Sequence, residues 1–522
     1  MRRFIVVLLV MSEVSPLVVL HQRCARRREM SSVSMMARES SYLSAKQWEE
    51  LGALEETTRC ARACGGDRPT KIQAIAFGAM ARGEHCIIAD QTGSGKTLAY
   101  LLPLAQRLRA EEREGPRLAE APKGTALPRA IVLAPTSELV AQVAGVGRAV
   151  SGGGMPLRIR CATGDADARS AARALRRGGG CDVLIATPGR LAKLIKSGAV
   201  SLSRASDVVL DEVDVLAIAD GGAMLRPIFG DDSTLSSSAR FAFVTATLPT
   251  QVEAQLRKEF ADVVVCKGPG LHKAPLGLEV SLVECDPFAK PAPASSRRRA
   301  DLSEYLVIDE DDDDRGRASP TKQRLRKSEK TYEGDLVVTK PIDRIDDPTF
   351  ELKKRALFDS LSLGRPSSEG RLEVPTRTLV FCNTIESCRR VENALYRADR
   401  RRALRTVYAY HSALEKDARK RALAAFIDPQ LDLTRDPTVL VCTDRASRGV
   451  DFGAVPVDHV VLFDWPRDPN EFLRRVGRTA RAGRSGYATV FASGTNLAVA
   501  RKVVAACQRG KPILDDPDTF IS

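Results

Sequence analysis

The sequence predicts an α/β protein made of two domains, each a parallel β-sheet covered by helices on both faces. Three observations carry this. Short apolar runs alternate with longer helical segments along most of the chain. The runs are apolar throughout rather than at every second residue, as strands buried on both faces require. The alternation stops once, near the middle, and then resumes. The length of 522 residues suits two or more domains. A hydrophobic share of 43% with 28% charged residues gives material for real cores.

Residues 1–40 stand apart. "MRRFIVVLLVM" joins basic residues to an apolar run too short to span a bilayer. "HQRCARRREMSSVSMMARESS" is rich in Arg and Ser and poor in acid. Together they read as a leader, either an organelle transit peptide or a signal-like segment. A basic tail, or a start at Met30, Met35 or Met36, is the competing reading. Residues 41–283 form the first domain, with strands expected at Cys86–Ala89, Ala130–Ala134, Asp182–Thr187, Asp207–Asp211 and Phe241–Thr247. Residues 284–348 break the pattern with Pro, Ser and blocks of both charges, including "IDEDDDDRGR". Such composition buries too little apolar surface to order itself, so this is an insertion or linker, or a docking segment for a protein partner. Residues 349–522 form the second domain, with strands expected at Thr378–Thr384, Arg405–His411, Thr438–Asp444, His459–Pro466 and Tyr487–Ala492.

Lys plus Arg number 80 and Asp plus Glu 66, a net charge of +14. With a pI near 9.3 this favours a polyanionic partner. The 12 cysteines form no CxxC pair, which argues against a zinc framework or a secreted disulfide scaffold. Cys86, Cys382 and Cys442 lie inside apolar runs and read as reduced core thiols. No segment has the length and hydropathy of a membrane span.

"ADQTGSGKT", residues 89–97, follows one predicted strand and opens a predicted helix. It reads as the phosphate loop GxxxxGK[ST], with Ala89 taken in place of the first glycine. Gly93 and Gly95 let the backbone wrap phosphate oxygens. The helix N-terminus adds N–H groups and dipole to the same anion. Thr92 and Ser94 complete the turn, Lys96 neutralises phosphate charge, and Thr97 holds Mg²⁺. Such a loop needs a metal-holding acid at the end of another strand. Asp211 ends the apolar run "VVLD" and fits, so Thr97 and Asp211 are the expected metal ligands. Glu212 beside it is the candidate that orients or deprotonates the attacking water, and Asp214 completes the acidic cluster.

An ordered series of motifs then resembles the DEAD-box family of ATP-dependent RNA helicases, over about Trp48 to the C-terminus less the insertion. The resemblance implies two tandem RecA-like domains. "RPTKIQAI" resembles the Q motif and implies that Gln73 reads adenine. Trp48, 25 residues earlier, stands where the family has an aromatic on the adenine. "DEVD" is similar to DEAD. "APTSELVAQV", "TGD" and "TPGR" resemble loops that grip RNA sugar and phosphate, which implies contacts from Pro135, Thr136, Gly164, Thr187, Pro188, Gly189 and Arg190. Ser137 and Asp165 depart from the family's Arg and Gly. "TAT" resembles SAT and implies that Thr245 and Thr247 couple Asp214 to the second domain. "TDRASRGVD" implies Thr443 on RNA and Asp451 near the ATP ribose. "FLRRVGRTARAG" is similar to HRIGRTGR, with Arg474 in place of His, and implies arginine fingers at Arg478 and Arg481.

The resemblance implies an RNA-dependent ATPase that locally unwinds RNA duplexes, with ATP and Mg²⁺ as cofactors and RNA as partner. The softened RNA motifs keep a second reading open, an ATP-gated RNA clamp with little strand separation. The chain is expected to act as a monomer. The wording "VTATLP" and "RRVGRTARAG" is similar to plant and algal organellar members. A chloroplast or mitochondrial site is therefore expected, in RNA processing or ribosome assembly, with nucleus, nucleolus or cytoplasm as alternatives.

Overall fold

The computed structural model describes residues 42–287 and 347–513, less 115–124, 165–172, 176–179, 219–224, 231–232, 276, 363–364, 367–371, 374–376, 399–405, 429, 432–436, 445–454 and 481–483. The leader and almost all of the expected insertion lie outside the described residues, as do Asp165, Asp451 and Arg481.

The first sheet has seven strands: β1 (Cys86–Ala89), β2 (Ala130–Leu133), β3 (Ile159–Ala162), β4 (Val183–Ala186), β5 (Asp207–Asp211), β6 (Arg240–Thr245) and β7 (Val264–Lys267). Their order is β3-β4-β2-β5-β6-β1-β7, and every pairing is parallel. The second has six: β8 (Leu278–Glu284), β9 (Arg377–Cys382), β10 (Thr406–Tyr410), β11 (Thr438–Thr443), β12 (His459–Leu462) and β13 (Gly486–Ala492). Their order is β10-β11-β9-β12-β13-β8, again all parallel.

Side chains alternate between two cores, because successive residues of a strand face opposite sides of the sheet. In β1 and β2, Ile87, Ala89, Ile131 and Leu133 join Leu191, Leu194 and Leu256 on one side. Cys86, Ile88, Ala130 and Val132 join Ile72, Leu101, Leu104 and Val143 on the other. The second sheet repeats this, with Leu379 and Phe381 against Phe472 and Val503, and Val380 and Cys382 against Val391 and Leu361. Both faces are thus covered, which is why the central strands read as continuous apolar runs.

Of the thirteen strands in these two sheets, ten stand where the sequence puts them. Three were not expected, and all three are edge or near-edge strands with polar residues in the run. β3 ("IRCA") is half exposed, β7 ("VVCK") ends in an exposed lysine, and β8 ("LEVSLVE") alternates. β8 also corrects the expected boundary at 283. It pairs along its whole length with β13, so residues 278–284 belong to the second domain, and Cys285 is buried in that domain's core. The helix Pro348–Ser362 likewise starts one residue before the expected 349. All eleven described cysteines are free, and Cys86, Cys382 and Cys442 are buried as expected. No helix among the described residues is long and apolar enough to cross a membrane.

The two ends of the first sheet differ in use. At the N-terminal ends, Asp207 pairs with Arg240 at 2.8 Å and with Arg107, and Asp182 pairs with Arg158 at 2.6 Å. These pairs hold strand starts together. The C-terminal ends carry the loops in which the motif residues stand, as ligand sites of open parallel sheets do.

Candidate nucleotide and RNA site

The phosphate loop runs from Asp90, after β1, to the start of the helix Lys96–Glu114. Counted back from Lys96, the first-glycine position is Asp90 and not Ala89, which is the last residue of β1. Gly95 has φ +89°, and a Cβ there would lie 2.6 Å from Gln73 Nε2, so only glycine fits. The Lys96 ammonium donates to the carbonyls of Asp90 and Gln91 at 2.6 and 2.7 Å. Burial pulls its pKa down, and Asp90, Asp211 and Glu212 oppose that. A phosphate entering the loop offers this cation a stronger acceptor than its own loop's carbonyls.

Gln73 caps its own helix. Its Oε1 accepts from Thr70 N–H at 2.8 Å, and its Nε2 donates to the Gly95 carbonyl at 3.1 Å. It therefore touches the phosphate loop directly. Trp48 does not stand as expected. It is 1% exposed, packs edge-on against Phe77 and donates Nε1–H to the Gly66 carbonyl at 2.9 Å. An indole closed in by Phe77, Leu102 and Val150 has no free face for a base. Tyr42 is the aromatic at the loop, its hydroxyl donating to the Gly93 carbonyl at 2.6 Å. The sequence signal for Tyr42 was slight, an isolated Tyr just past the leader.

Asp211 ends β5 with its carboxylate buried, accepting from Tyr100 O–H at 2.9 Å and from Glu212 N–H at 3.0 Å. Tyr100 lies one helical turn after Lys96, and that i+4 spacing was the available clue to a residue the sequence reading missed. Burial pushes the Asp211 and Glu212 carboxyls up, and for Glu212 the Arg478 guanidinium pulls back. Glu212 adopts φ +52°, the left-handed region that a side chain of its size rarely takes. Its Oε2 is buried without a hydrogen-bond partner. Asp214 accepts from Thr247 O–H at 3.4 Å, while Thr245 O–H donates to the Thr247 carbonyl at 2.6 Å.

The second domain closes on this cluster. Arg474 donates to Asp214 at 3.1 Å, with both side chains nearly buried. Thr92 O–H donates to the Gly477 carbonyl at 3.3 Å, and a Cβ on Gly477 would lie 2.0 Å from Thr92 Oγ1. Arg478 is buried, and its charge and that of Glu212 act on each other. Arg474 and Arg475 lie in the last turn of the helix Pro469–Val476, and Arg478 follows its C-cap Gly477. Arg475 was passed over in the sequence, yet it ties the second domain together. It donates to Asn383 Oδ1 at 2.6 Å, to the Asp464 carbonyl at 2.9 Å and to Asp444 at 3.0 Å.

The expected RNA residues end β2, β3 and β4, on the far half of the same edge. Thr136 caps the helix Ser137–Gly152, accepting from Leu139 N–H at 3.2 Å, after Pro135. Thr187 precedes the helix Pro188–Lys196 without a side-chain cap. Pro188 has no N–H and Arg190 N–H donates to the Thr187 carbonyl at 3.1 Å, so the first turn has only the Gly189 N–H to offer. Gly189 has open space around it. Arg190 is 6% exposed, with Nε and Nη2 unpartnered. Gly164, at φ +71°, turns the chain after β3. Thr443 ends β11 of the second sheet and is buried.

Two parallel-sheet domains with a phosphate loop, an acid pair and an arginine closing from the second domain define a two-domain P-loop nucleotide-binding protein. A family model described as "DEAD/DEAH box helicase" matches residues 70–255, and one described as "Helicase conserved C-terminal domain" matches 356–483. The chain belongs to the DEAD/DEAH box helicase family. It is 36% identical over 494 residues to "DEAD-box ATP-dependent RNA helicase 50" of Arabidopsis thaliana, covering 92% of this chain and 53% of that protein. With "ATP-dependent RNA helicase dbp8" of Aspergillus oryzae it shares 31% identity over 81% of this chain and 75% of that protein. The chain thus spans about half the length of the Arabidopsis relative and 64% of its rice counterpart. Among solved structures, "S. cerevisiae Dbp5 bound to RNA and ADP BeF3" matches with TM-score 0.56 and 20% identity, over 89% of this chain and 93% of that one. Mss116p bound to ssRNA and AMP-PNP matches with TM-score 0.58 and 17% identity, over 92% and 79%. These two show the same tandem RecA-like fold.

Proposed function

We propose that this chain is an RNA-dependent ATPase that uses ATP hydrolysis to remodel or locally unwind RNA duplexes. One observation carries the reading: Glu212, held at φ +52° with a bare buried Oε2, feels the charge of Arg478 from the other domain. A carboxylate with a raised pKa and one unpartnered oxygen is a base waiting for a proton. A buried guanidinium is a fixed charge for a transferring phosphoryl group.

Gln73, bonded to Thr70 and to the Gly95 carbonyl, holds the phosphate loop against its helix, and Lys96 gives up its own loop's carbonyls to hold β/γ-phosphate oxygens. Glu212 takes the proton of the attacking water. Arg478 offsets charge as it builds on the phosphoryl oxygens, and it is in position only when the domains are closed. The Asp211 carboxylate, buried and held by Tyr100, together with Thr97 suits magnesium, which would neutralise phosphate charge. Among the described residues no group of three or more His, Cys, Asp or Glu is arranged to hold a metal ion by itself.

The Gly189 N–H at the start of the helix Pro188–Lys196 and the helix start capped by Thr136 suit sugar–phosphate contact without base reading. RNA-bound Dbp5 and Mss116p support RNA as the partner. The leader and the plant relatives support an organellar site, with residues 288–346 as a place for a protein partner. A clamp with little strand separation is the second reading, favoured by the Arg474–Asp214 bridge, which holds the cleft shut.

The test is ATP turnover by the chain without residues 1–40, with single-stranded RNA, duplex RNA and DNA. RNA-dependent turnover with strand displacement supports the helicase reading. Turnover without displacement moves the clamp ahead, and no RNA effect overturns both.

A further inference from the structure

We propose that Asp90 is a positioning residue that ties the phosphate loop to the segment leading into the second domain, so that phosphate occupancy is felt by that segment directly. The proposal rests on reading residues 90–97 as the phosphate loop.

Loops of this pattern have glycine at the first position, where a side chain is unwanted. Here the position holds an aspartate that is 4% exposed. Its Oδ1 accepts from Gln91 N–H at 2.9 Å and from Gly270 N–H at 3.0 Å. The first bond lies within the loop. The second reaches 180 residues along the chain, into the turn after β7. That turn, residues 268–277, is the connection between the sheets, since β7 belongs to the first and β8 to the second.

The fit is close on both sides of Asp90. A Cβ on Gly268 would lie 2.1 Å from the Asp90 Cγ, and one on Gly270 2.5 Å from the Gln91 Cδ. Gly268 N–H also donates to the Ala89 carbonyl at 2.8 Å. The connection therefore lies flat on the loop, with glycines where the aspartate and glutamine need room. Two residues on, His272 takes φ +61°, is buried, and accepts from Leu248 N–H through Nε2 at 2.9 Å. Leu248 directly follows Thr247, which bonds Asp214. The His272 carbonyl accepts from Ile513 N–H at 2.8 Å. The connection is thus pinned at one point to the phosphate loop and at the next to the segment behind the acid cluster.

Asp90 also supplies the carbonyl on which Lys96 rests at 2.6 Å. When Lys96 turns to a phosphate it leaves that carbonyl, and the loop around Asp90 relaxes. The carboxylate passes the change to Gly270. An alanine would keep the loop's backbone and lose the link. An asparagine keeps Oδ1 as an acceptor and preserves it.

Hydrogen exchange read by mass spectrometry on the full chain tests this, with AMP-PNP as the nucleotide. Without nucleotide, Asp90→Ala should speed exchange across 268–273 by about tenfold, and Asp90→Asn should stay near wild type. AMP-PNP should change exchange at 268–273 in wild type and in Asp90→Asn, and not in Asp90→Ala. Unchanged exchange at 268–273 in nucleotide-free Asp90→Ala overturns the tie. An equal AMP-PNP response there in wild type and Asp90→Ala overturns the coupling. Failure of AMP-PNP to protect 91–97 in wild type overturns the coupling by sinking the phosphate-loop reading, while the nucleotide-free comparison still decides the tie. A melt of each variant separates local loosening from loss of fold.

Discussion

The two halves of one sheet edge are built on opposite terms. Behind β1, β5 and β6, the side chains are buried, charged and close. Lys96 rests on its own loop's carbonyls, Glu212 sits at φ +52° with a bare oxygen, and Arg478 closes from the other domain. Behind β2, β3 and β4, the backbone does the presenting, through the cap at Thr136, the uncapped turn at Thr187 and the open Gly189. Strain and unpaired buried charge mark where bonds would be broken. Helix starts and open space mark where a polyanion would only lie. The first half should fail sharply when one atom changes, and the second by degrees.

Arg478→Ala should give the largest effect, a loss of turnover of about 10³–10⁵ with ATP binding largely kept. Single-turnover kinetics beside nucleotide titration separate the two quantities. Glu212→Gln should cost about 10²–10⁴ in kcat and leave ATP and RNA bound; wild-type turnover would end its assignment. The pH profile sharpens this. Burial raises the Glu212 pKa, so the base form is lost at a higher pH than for an exposed glutamate as pH falls. The acid limb of kcat should therefore lie above the ordinary carboxylate range. It should move further up in a conservative variant that weakens the Arg478 charge contact. Stability follows the same sign. A raised folded-state pKa favours folding below the unfolded value and opposes it as pH rises through the folded one. Glu212→Gln should then melt higher than wild type at neutral pH, with the gain shrinking as the pH is lowered.

The sequence was most legible where both faces of a strand are covered. "CIIA", "AIVL" and "DVVLD" can be little else, because every side chain is buried. It was least legible at the sheet margins, where "IRCA" and "LEVSLVE" carry polar residues that cost nothing when exposed. Missing β8 put the domain boundary in the wrong place. In the site, the acid cluster and Lys96 were readable because a phosphate loop demands a partner acid. Trp48 misled because spacing along a chain does not say which way an indole points. Tyr100, Arg475 and Asp90 act through hydrogen bonds to residues distant in sequence, which no local pattern records.

Arg474 tests whether closure belongs to the sharp half. Removing one partner of a nearly buried ion pair leaves the other charge stranded, at a cost of about 3–5 kcal/mol. Arg474→Met should therefore lower RNA-stimulated turnover strongly, and adding Asp214→Asn should recover part of it. A double-mutant cycle on turnover measures that recovery, and strict additivity would separate the bridge from closure. Arg474→His in the same cycle reports how much of the closure needs a permanent charge.

The smallest effect is expected at Gly189, and it is the cleanest way to break the contrast. A Cβ at Gly95 would strike Gln73, whereas a Cβ at Gly189 meets nothing within 4 Å. Gly95→Ala should abolish nucleotide binding. Gly189→Ala should fold at least as well as wild type, since alanine in a helix is favoured over glycine by about 0.5–1 kcal/mol. Its cost should appear only against RNA, where a methyl group stands beside the N–H that a phosphate would meet. Affinity should fall by about tenfold or less, with intrinsic ATP binding unchanged. The remaining binding should still weaken with salt, with a log–log slope near 0.7 per phosphate contacted, as sequence-independent contact to a single strand requires. A loss at Gly189 as complete as that at Gly95 would mean that the open half of the edge is as tightly fitted as the buried one.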